Sequence, residues 1–173
     1  YLRGINFVQV PTTLLAQVDA SIGGKTGVDL PEGKNLVGAF HQPKLVWIDP
    51  EFLKTLDERE FKNGLFEVVK YGVICKGFWK FLEKNMEKIS HCVRNDKENN
   101  VINKMLVMCA RAKADVVSKD EKESGLRKIL NFGHTLGHAL ETNLNYKYKH
   151  GEMVAVGMIF ATYLSRNLGY CNE

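Results

Sequence analysis

The hydrophobic pattern of this chain changes period near residue 56, and that change bounds what it can fold into. Before it, Phe7-Val8-Gln9-Val10 and Leu45-Val46-Trp47-Ile48 are short β-rich runs. Each closes in turn chemistry, Pro11-Thr12-Thr13 and Asp49-Pro50. Between them lie a helix candidate over residues 14–20 and a polar, glycine-dotted loop over residues 21–35. Strand, helix, loop, strand reads as part of an α/β domain. Beyond residue 56 the strand signal nearly vanishes and helical spacing takes over.

Asp57 with Glu60 three residues on has the spacing of a capping box, and opens a helix with Phe61, Leu65, Phe66, Val68 and Val69 turned inward. Val101, Ile102, Met105, Leu106, Cys109, Ala112 and Val116 recur at three- and four-residue steps, which predicts a long amphipathic helix. Residues 129–144 and 152–168 read as two more, and Gly169 stands where a helix-ending C′ glycine would. The expected organisation is an α/β unit over residues 1–56 followed by a helical unit over residues 57–173.

At 173 residues, 45% hydrophobic and 25% charged, the chain is of ordinary globular composition. No apolar run approaches the roughly 20 residues a membrane helix needs. The N-terminus lacks both a Met start and the basic head of a signal peptide, so the expectation is a cytoplasmic protein cut from something longer. A net charge of +4 is too modest to argue for nucleic acid and leaves room for an anionic substrate. Cys75, Cys92, Cys109 and Cys171 are widely spaced with no C-x-x-C pair, and read as reduced thiols.

Of the five histidines, His134, His138 and His150 fall close together. His134 and His138 are four apart on a predicted helix, so their side chains share a face, and such a pair is one established way to hold zinc. A catalytic zinc site adds a third protein ligand and keeps a position open. The carboxylate that would complete it stays open among Glu67, Glu141 and Glu152. His41 and His91 read as structural or surface residues.

Basic groups surround this segment. Lys25 and Lys34 sit in the glycine-dotted loop, Lys70 lies three residues after Glu67, and Lys113 lies on the long helix. Arg127 and Asn131, one turn apart, precede His134. Together they could hold phosphate and carboxylate oxygens. Gly23-Gly24-Lys25-Thr26 mimics a nucleotide P-loop, but Asp19 stands where the pattern needs its first glycine. No G-x-G-x-x-G occurs, and the G-x-x-x-G of Gly133 and Gly137 reads as close helix packing.

These segments resemble the 3-dehydroquinate synthase family. Pro11-Thr12-Thr13-Leu14-Leu15 with Val18-Asp19-Ala20-Ser21-Ile22-Gly23-Gly24-Lys25-Thr26 is similar to its signature loop. Gly33-Lys34-Asn35-Leu36, Asn63-Gly64-Leu65-Phe66-Glu67-Val68-Val69-Lys70, Leu130-Asn131-Phe132-Gly133-His134-Thr135-Leu136-Gly137-His138-Ala139 and His150-Gly151-Glu152 follow in the family's order. The resemblance implies the end of a Rossmann-like α/β domain followed by an all-α C-terminal domain. It also implies NAD, a divalent metal (zinc or cobalt), a phosphorylated sugar-acid substrate, a homodimer, and no nucleic-acid or membrane partner.

Residue by residue, the resemblance implies metal ligands at Glu67, His134 and His150, with His138 a neighbouring histidine that handles substrate or protons. It replaces His138, the partner that spacing nominates, by His150. Lys25, Asn35, Lys70, Lys113, Arg127 and Asn131 match substrate-contacting residues, and Glu123 matches an active-site acid. Asp19 matches a carboxylate near the cofactor, and Arg3 an arginine reaching the neighbouring subunit's phosphate. Thr12, Thr13, Lys34, Phe52, Leu53, Lys54 and Thr55, together with Lys25, match the cofactor-contacting segments. The family's nucleotide-binding half and last helical segment are not visible here, so a chain of this extent is expected to be inactive alone. Related expectations are a sugar-phosphate cyclase of the same architecture or a metal-dependent polyol dehydrogenase. A non-catalytic helical module with a structural metal would favour four ligands rich in cysteine, a pattern absent here.

Overall fold

A computed structural model describes residues 4–31, 33–91 and 99–171, with the side chains of Lys34, Asn35, His91 and Asn99 outside that description. Strand β1 (Val8–Gln9) pairs in parallel with β4 (Leu45–Val46), in the register Val8 to Leu45 and Gln9 to Val46. Parallel strands need a crossover. Here the crossover holds a helical turn and an antiparallel hairpin, β2 (Lys25–Leu30) and β3 (Gly33–Phe40). The helical turn widens into π winding over Ala16–Ala20, closed by Ser21 N–H donating to the Ala16 carbonyl at 3.2 Å.

The hairpin corrects the expectation of a loop over residues 21–35. Every residue of β2 is exposed, so neither face carries an apolar alternation. A strand without a buried face leaves no period-2 signal, and its glycines read as loop punctuation.

A 3₁₀ turn, Pro50–Thr55, leads into the helices. They are α1 (Glu58–Ile74), α2 (Phe78–His91), α3 (Asn99–Lys119), α4 (His134–Asn143) and α5 (His150–Asn167). Asp57 caps α1 as expected, its Oδ1 accepting from Arg59 N at 2.8 Å and Glu60 N at 3.4 Å. The Glu60 side chain turns to Asn63 and Lys149 instead of back to the cap. Gly169, at φ +75°, closes α5: its N–H donates to Arg166 O and Tyr170 N–H donates to Ser165 O, a Schellman pattern. The helix expected over residues 129–144 is two pieces, a 3₁₀ turn Leu126–Asn131 and then α4. Gly133 at φ +80° breaks it, a left-handed conformation that glycine alone adopts without strain.

One core runs from Leu14 and Val18 through Leu53, Phe61, Val68 and Tyr71 to Phe78, Leu82, Ile89, Ile102, Met105, Leu106 and Cys109. Burial of each large side chain stabilises the fold by roughly 1.5–3 kcal/mol relative to exposure. Among the described residues, no helix is long and apolar enough to cross a membrane. Cys75, Cys109 and Cys171 are free thiols, and Cys92 lies outside the described residues.

Glycines set the spacing of α1, α4 and α5. A Cβ on Gly157 would stand 1.9 Å from the Gly133 carbonyl oxygen, and one on Gly151 would stand 2.1 Å from the Asn63 carbonyl oxygen. The Gly133/Gly137 pair therefore packs α4 on α5 backbone to backbone, as its spacing suggests. Gly157→Ala is expected to cost about 3 kcal/mol through forced overpacking, or roughly 6–12 °C of melting temperature. Gly137→Ala has its nearest contact at 3.2 Å and should cost under about 1 kcal/mol, because alanine's helix propensity offsets part of the strain. Thermal melts giving the opposite ranking would refute this account of the α4–α5 contact.

Candidate metal centre

Helices α1, α4 and α5 converge on one point. Glu67 lies on the buried face of α1 with Asn63, Gly64, Val68, Lys70 and Tyr71. His134 is the first residue of α4, immediately after the left-handed Gly133, and His138 follows one turn later. His150 is the first residue of α5. Three contacts dock that helix end. Asn63 Oδ1 accepts from Gly151 N at 2.7 Å, Glu152 accepts from Lys149 N at 2.8 Å, and Arg59 makes a two-pronged ion pair with Glu152.

Glu67 Oε1 stands 3.5 Å from His134 Nε2 and 3.4 Å from His150 Nε2. Zinc bonds of about 2.0–2.1 Å in a tetrahedron place neighbouring ligand atoms about 3.3–3.4 Å apart. The carboxylate oxygen and the two ring nitrogens therefore match two edges of such a polyhedron. Glu67 is fully buried, and neither of its oxygens accepts a hydrogen bond of regular geometry, although Lys70 Nζ forms an ion pair with Oε2. Lys70 compensates Oε2, so Oε1, with two ring nitrogens beside it, is the oxygen left to meet a further cation. The donor set thus fits a divalent metal.

The ring nitrogens of His134, His138 and His150 also lie within 4.8 Å of one another. His138 is the outermost, its side chain 61% exposed against 12% for His134 and 26% for His150. His134 Nδ1 contacts the Phe132 carbonyl at 3.2 Å. Burial holds the His134 imidazole below its ordinary pKa, although Glu67 opposes this. Burial also lowers His150, but the carboxylates of Glu67 and Glu141 outweigh it and raise the ring above its ordinary value. Burial would raise the Glu67 carboxyl, yet His150, Lys70 and His134 hold it below the usual range.

Of the three carboxylates left open by spacing, Glu67 lies at the convergence point and Glu141 beside it. Glu152 is committed to Arg59 and Lys149 N. His41 contacts the Ile5 carbonyl at 2.8 Å and stacks on Phe7, a structural place.

A second cluster forms around Asp19, on the π-wound turn. Its Oδ1 pairs with Lys113 Nζ and accepts from Tyr71 OH at 2.8 Å, its backbone carbonyl accepts from Lys113 at 2.7 Å, and Oδ2 lies 3.9 Å from Lys70 Nζ. Burial opposes ionisation of Asp19, but Lys113 and Lys70 overcome it and hold the carboxyl well below the usual range. Burial lowers Lys113 and, aided by Asp19, raises the Tyr71 phenol far above its ordinary value. Lys70 bridges the two clusters. Irregular helical turns of this kind recur at functional sites.

The remaining predicted residues form a rim. Lys25 pairs with Glu123, which also accepts from Asn131 Nδ2. Glu123 takes φ +59°, unusual for a side chain larger than glycine. Arg127 is 2% exposed and donates to the Gly23 carbonyl at 2.8 Å and to the Glu121 carbonyl. Phe52, Leu53, Lys54 and Thr55 lie in the 3₁₀ turn. Leu53 is buried in the core, Phe52 is 39% exposed, and Lys54 pairs with Glu51 at 2.9 Å. Thr12 is exposed, and Thr13 Oγ1 accepts from Ala16 N at 3.2 Å. Arg3 and the side chains of Lys34 and Asn35 lie outside the described residues.

Sequence reasoning missed two residues. Tyr71 sits at i+4 from Glu67, so helical spacing could have brought it to the same face. Asp120, just past α3, accepts from the backbone N–H of Ser124, Gly125 and Arg127 at 2.8, 2.8 and 2.9 Å. Those bonds hold its carboxyl well below the usual range. An aspartate between a helix end and a Ser-Gly pair is the signal that could have found it.

Comparison with known proteins identifies the family and the fold. The family model described as 3-dehydroquinate synthase C-terminal matches residues 64–173, and the N-terminal model of the same name matches residues 1–63. The 3-dehydroquinate synthase of Pelobacter propionicus is 54% identical, with 100% of this chain and 47% of the relative covered. That of Dictyoglomus turgidum is 56% identical, with 99% and 48% covered. The chain thus spans about half the length of the curated relatives it matches. A solved 2-epi-5-epi-valiolone synthase from Streptomyces hygroscopicus with NAD+ and Zn2+ bound superposes with a TM-score of 0.90 at 30% identity, covering 100% of this chain and 48% of that one. A 2-deoxy-scyllo-inosose synthase complexed with carbaglucose-6-phosphate, NAD+ and Co2+ gives 0.86 at 33%, covering 100% and 46%. With collinear family models over both halves and this helical architecture behind them, the chain belongs to the 3-dehydroquinate synthase family.

Proposed function

We propose that this chain forms the metal- and substrate-binding part of a 3-dehydroquinate synthase. Such an enzyme converts 3-deoxy-D-arabino-heptulosonate 7-phosphate to 3-dehydroquinate and phosphate with NAD as hydride carrier. The observation that carries the reading is the buried Glu67 carboxylate, one oxygen of which stands 3.5 and 3.4 Å from two imidazole Nε2 atoms. Glu67, His134 and His150 would hold the metal. Zinc or cobalt there would supply Lewis acidity toward a substrate hydroxyl.

The protein's own groups bind and orient. Lys70 and Lys113 bring positive charge to Glu67 and Asp19, where an oxyanion would develop. Lys25, Arg127, Asn131 and Asn35 take substrate phosphate, carboxylate and hydroxyls, and Glu123 keeps Lys25 and Asn131 in place. His138, the most exposed of the three clustered rings, is placed to exchange protons with substrate. Asp19, Thr12, Thr13, Lys34 and the 52–55 segment lie on the side of NAD, whose binding is shared with sequence beyond this chain. Arg3 is assigned to the phosphate held by a neighbouring copy, which makes the full-length cytoplasmic protein a homodimer. The division near residue 56, close to the boundary between the two family models, separates the cofactor side from the metal side.

A related sugar-phosphate cyclase is the second reading, since the superposed cyclases are 30 and 33% identical. The 54 and 56% identity to named 3-dehydroquinate synthases favours the first.

Two measurements test it. Elemental analysis after dialysis against Zn2+ should find one ion per chain in the wild type and in His138→Ala. Glu67→Ala, His134→Ala and His150→Ala should each lose most of it. Metal retained by Glu67→Ala but lost by His138→Ala would transfer the site to the three histidines. With NAD and Co2+, the full-length protein should release phosphate from the heptulosonate phosphate, and Lys113→Ala should lower kcat/KM by roughly two orders of magnitude or more. Turnover confined to sugar phosphates lacking the carboxylate would instead favour the related cyclases.

A further inference from the structure

We propose that Glu141 positions the metal centre from outside the ligand set, by accepting the Nδ1–H of His150 and so fixing that ring with its Nε2 lone pair toward Glu67. The inference rests on the metal reading above and adds a residue that the reading does not use. Helix α4 places His134, His138 and Glu141 at i, i+4 and i+7, on one face. Glu141 is 4% exposed, a depth at which a carboxylate needs partners. Its Oε2 lies 3.4 Å from His150 Nδ1 and 3.9 Å from His138 Nε2.

The two nitrogens of His150 thus face two different carboxylates. Nδ1 faces Glu141, and Nε2 faces Glu67 Oε1 at 3.4 Å. A neutral imidazole carries one N–H, and the acceptor beside one nitrogen decides which nitrogen keeps its lone pair. His134 follows the same pattern, with Nδ1 on the Phe132 carbonyl at 3.2 Å and Nε2 toward Glu67. Glu141 therefore does for His150 what a backbone carbonyl does for His134. His150 heads its helix, next to an end docked by Gly151 on Asn63, and the carboxylate sets its ring rotation.

This placement separates Glu141 from the ligands. Its oxygen approaches the ring nitrogen turned away from the shared point, whereas Glu67 Oε1 approaches the nitrogens turned toward it. Loss of such an outer partner commonly weakens metal binding about 10–100-fold without removing the site.

The test is a Co2+ titration of the full-length protein, followed by visible absorption and by competition with a chelator. Wild type should bind one Co2+ per chain; if it binds none, the metal reading itself fails. Glu141→Gln and Glu141→Ala should keep that stoichiometry and the band positions while raising Kd about 10–100-fold, with Ala at least as weak as Gln. Unchanged Kd values in both variants would overturn the inference. So would lost stoichiometric binding or shifted bands in folded variants, which would make Glu141 a ligand. Side-chain ¹⁵N shifts of the unaltered Zn2+-loaded protein give an answer even if the variants do not fold. His150 should show a protonated Nδ1 and a ligated Nε2, and metal on Nδ1 overturns the proposal.

Discussion

A carboxylate with no exposed surface governs this structure. Glu67 sits at 0% exposure at the middle of α1, and an isolated ionised carboxylate cannot remain there uncompensated. Everything around it answers that charge. Lys70, on the same helix, pairs with it, and His134 and His150 turn their Nε2 atoms toward it. Lys70 then reaches Asp19, which Lys113 and Tyr71 also hold, so the π-wound turn, α1 and α3 share one buried charge network. Within that network two carboxylates face two ammonium groups, so the charges balance, and the two imidazole Nε2 atoms remain directed at Glu67 Oε1.

Such a network can form only where the helix axes come unusually close. Gly151 lies against the Asn63 carbonyl, Gly157 against Gly133, and Gly64 against the Leu15 amide nitrogen. The first two contacts join the helices that carry the ligand candidates, and the third seats α1 against the segment leading into the π-wound turn. The steric demand for glycine and the electrostatic demand for convergence are therefore one constraint. A side chain at any of these points would force the neighbouring backbone to move.

Much of this was legible in sequence because it rests on local, periodic signals. Asp57, the 3.6-residue stripes of α1 and α3, and the left-handed Gly169 each report a boundary or a face without reference to anything distant. The hairpin β2–β3 was not legible, since every residue of β2 is exposed and apolar residues such as Val28, Val37 and Phe40 mark no buried face. Nor was the break at Gly133, where a helical pattern runs on in sequence while the backbone turns. Spacing found the His134/His138 pair but could not choose a carboxylate, because helices α2 and α3 and a further loop lie between Glu67 and the histidines in sequence. The family resemblance supplied Glu67 and His150 by motif order. Helical spacing puts Tyr71 on the face of Glu67 and turn chemistry marks Asp120, but neither signal encodes the partners they bond, Asp19 and a loop backbone.

The cations of the site differ in how exchangeable their present partners are. Lys70 is 1% exposed and bound to a buried carboxylate, so releasing it would strand two charges in low dielectric. Arg127, equally buried, is satisfied by the Gly23 and Glu121 carbonyls, and that pins its guanidinium against the hairpin and the Asp120 loop. Lys25 is different: its side chain is 49% exposed, and its partner Glu123 sits on a left-handed backbone that the Asp120 hydrogen bonds help to hold. Water screens that pair, so its rupture costs little. An arriving anion can therefore take Lys25 from Glu123 without disturbing the interior, whereas Lys70 and Lys113 act as fixed positive charge. A rigid inner set and an exchangeable outer one let a site meet a charged ligand at its rim while Glu67, His134 and His150 beneath stay in place.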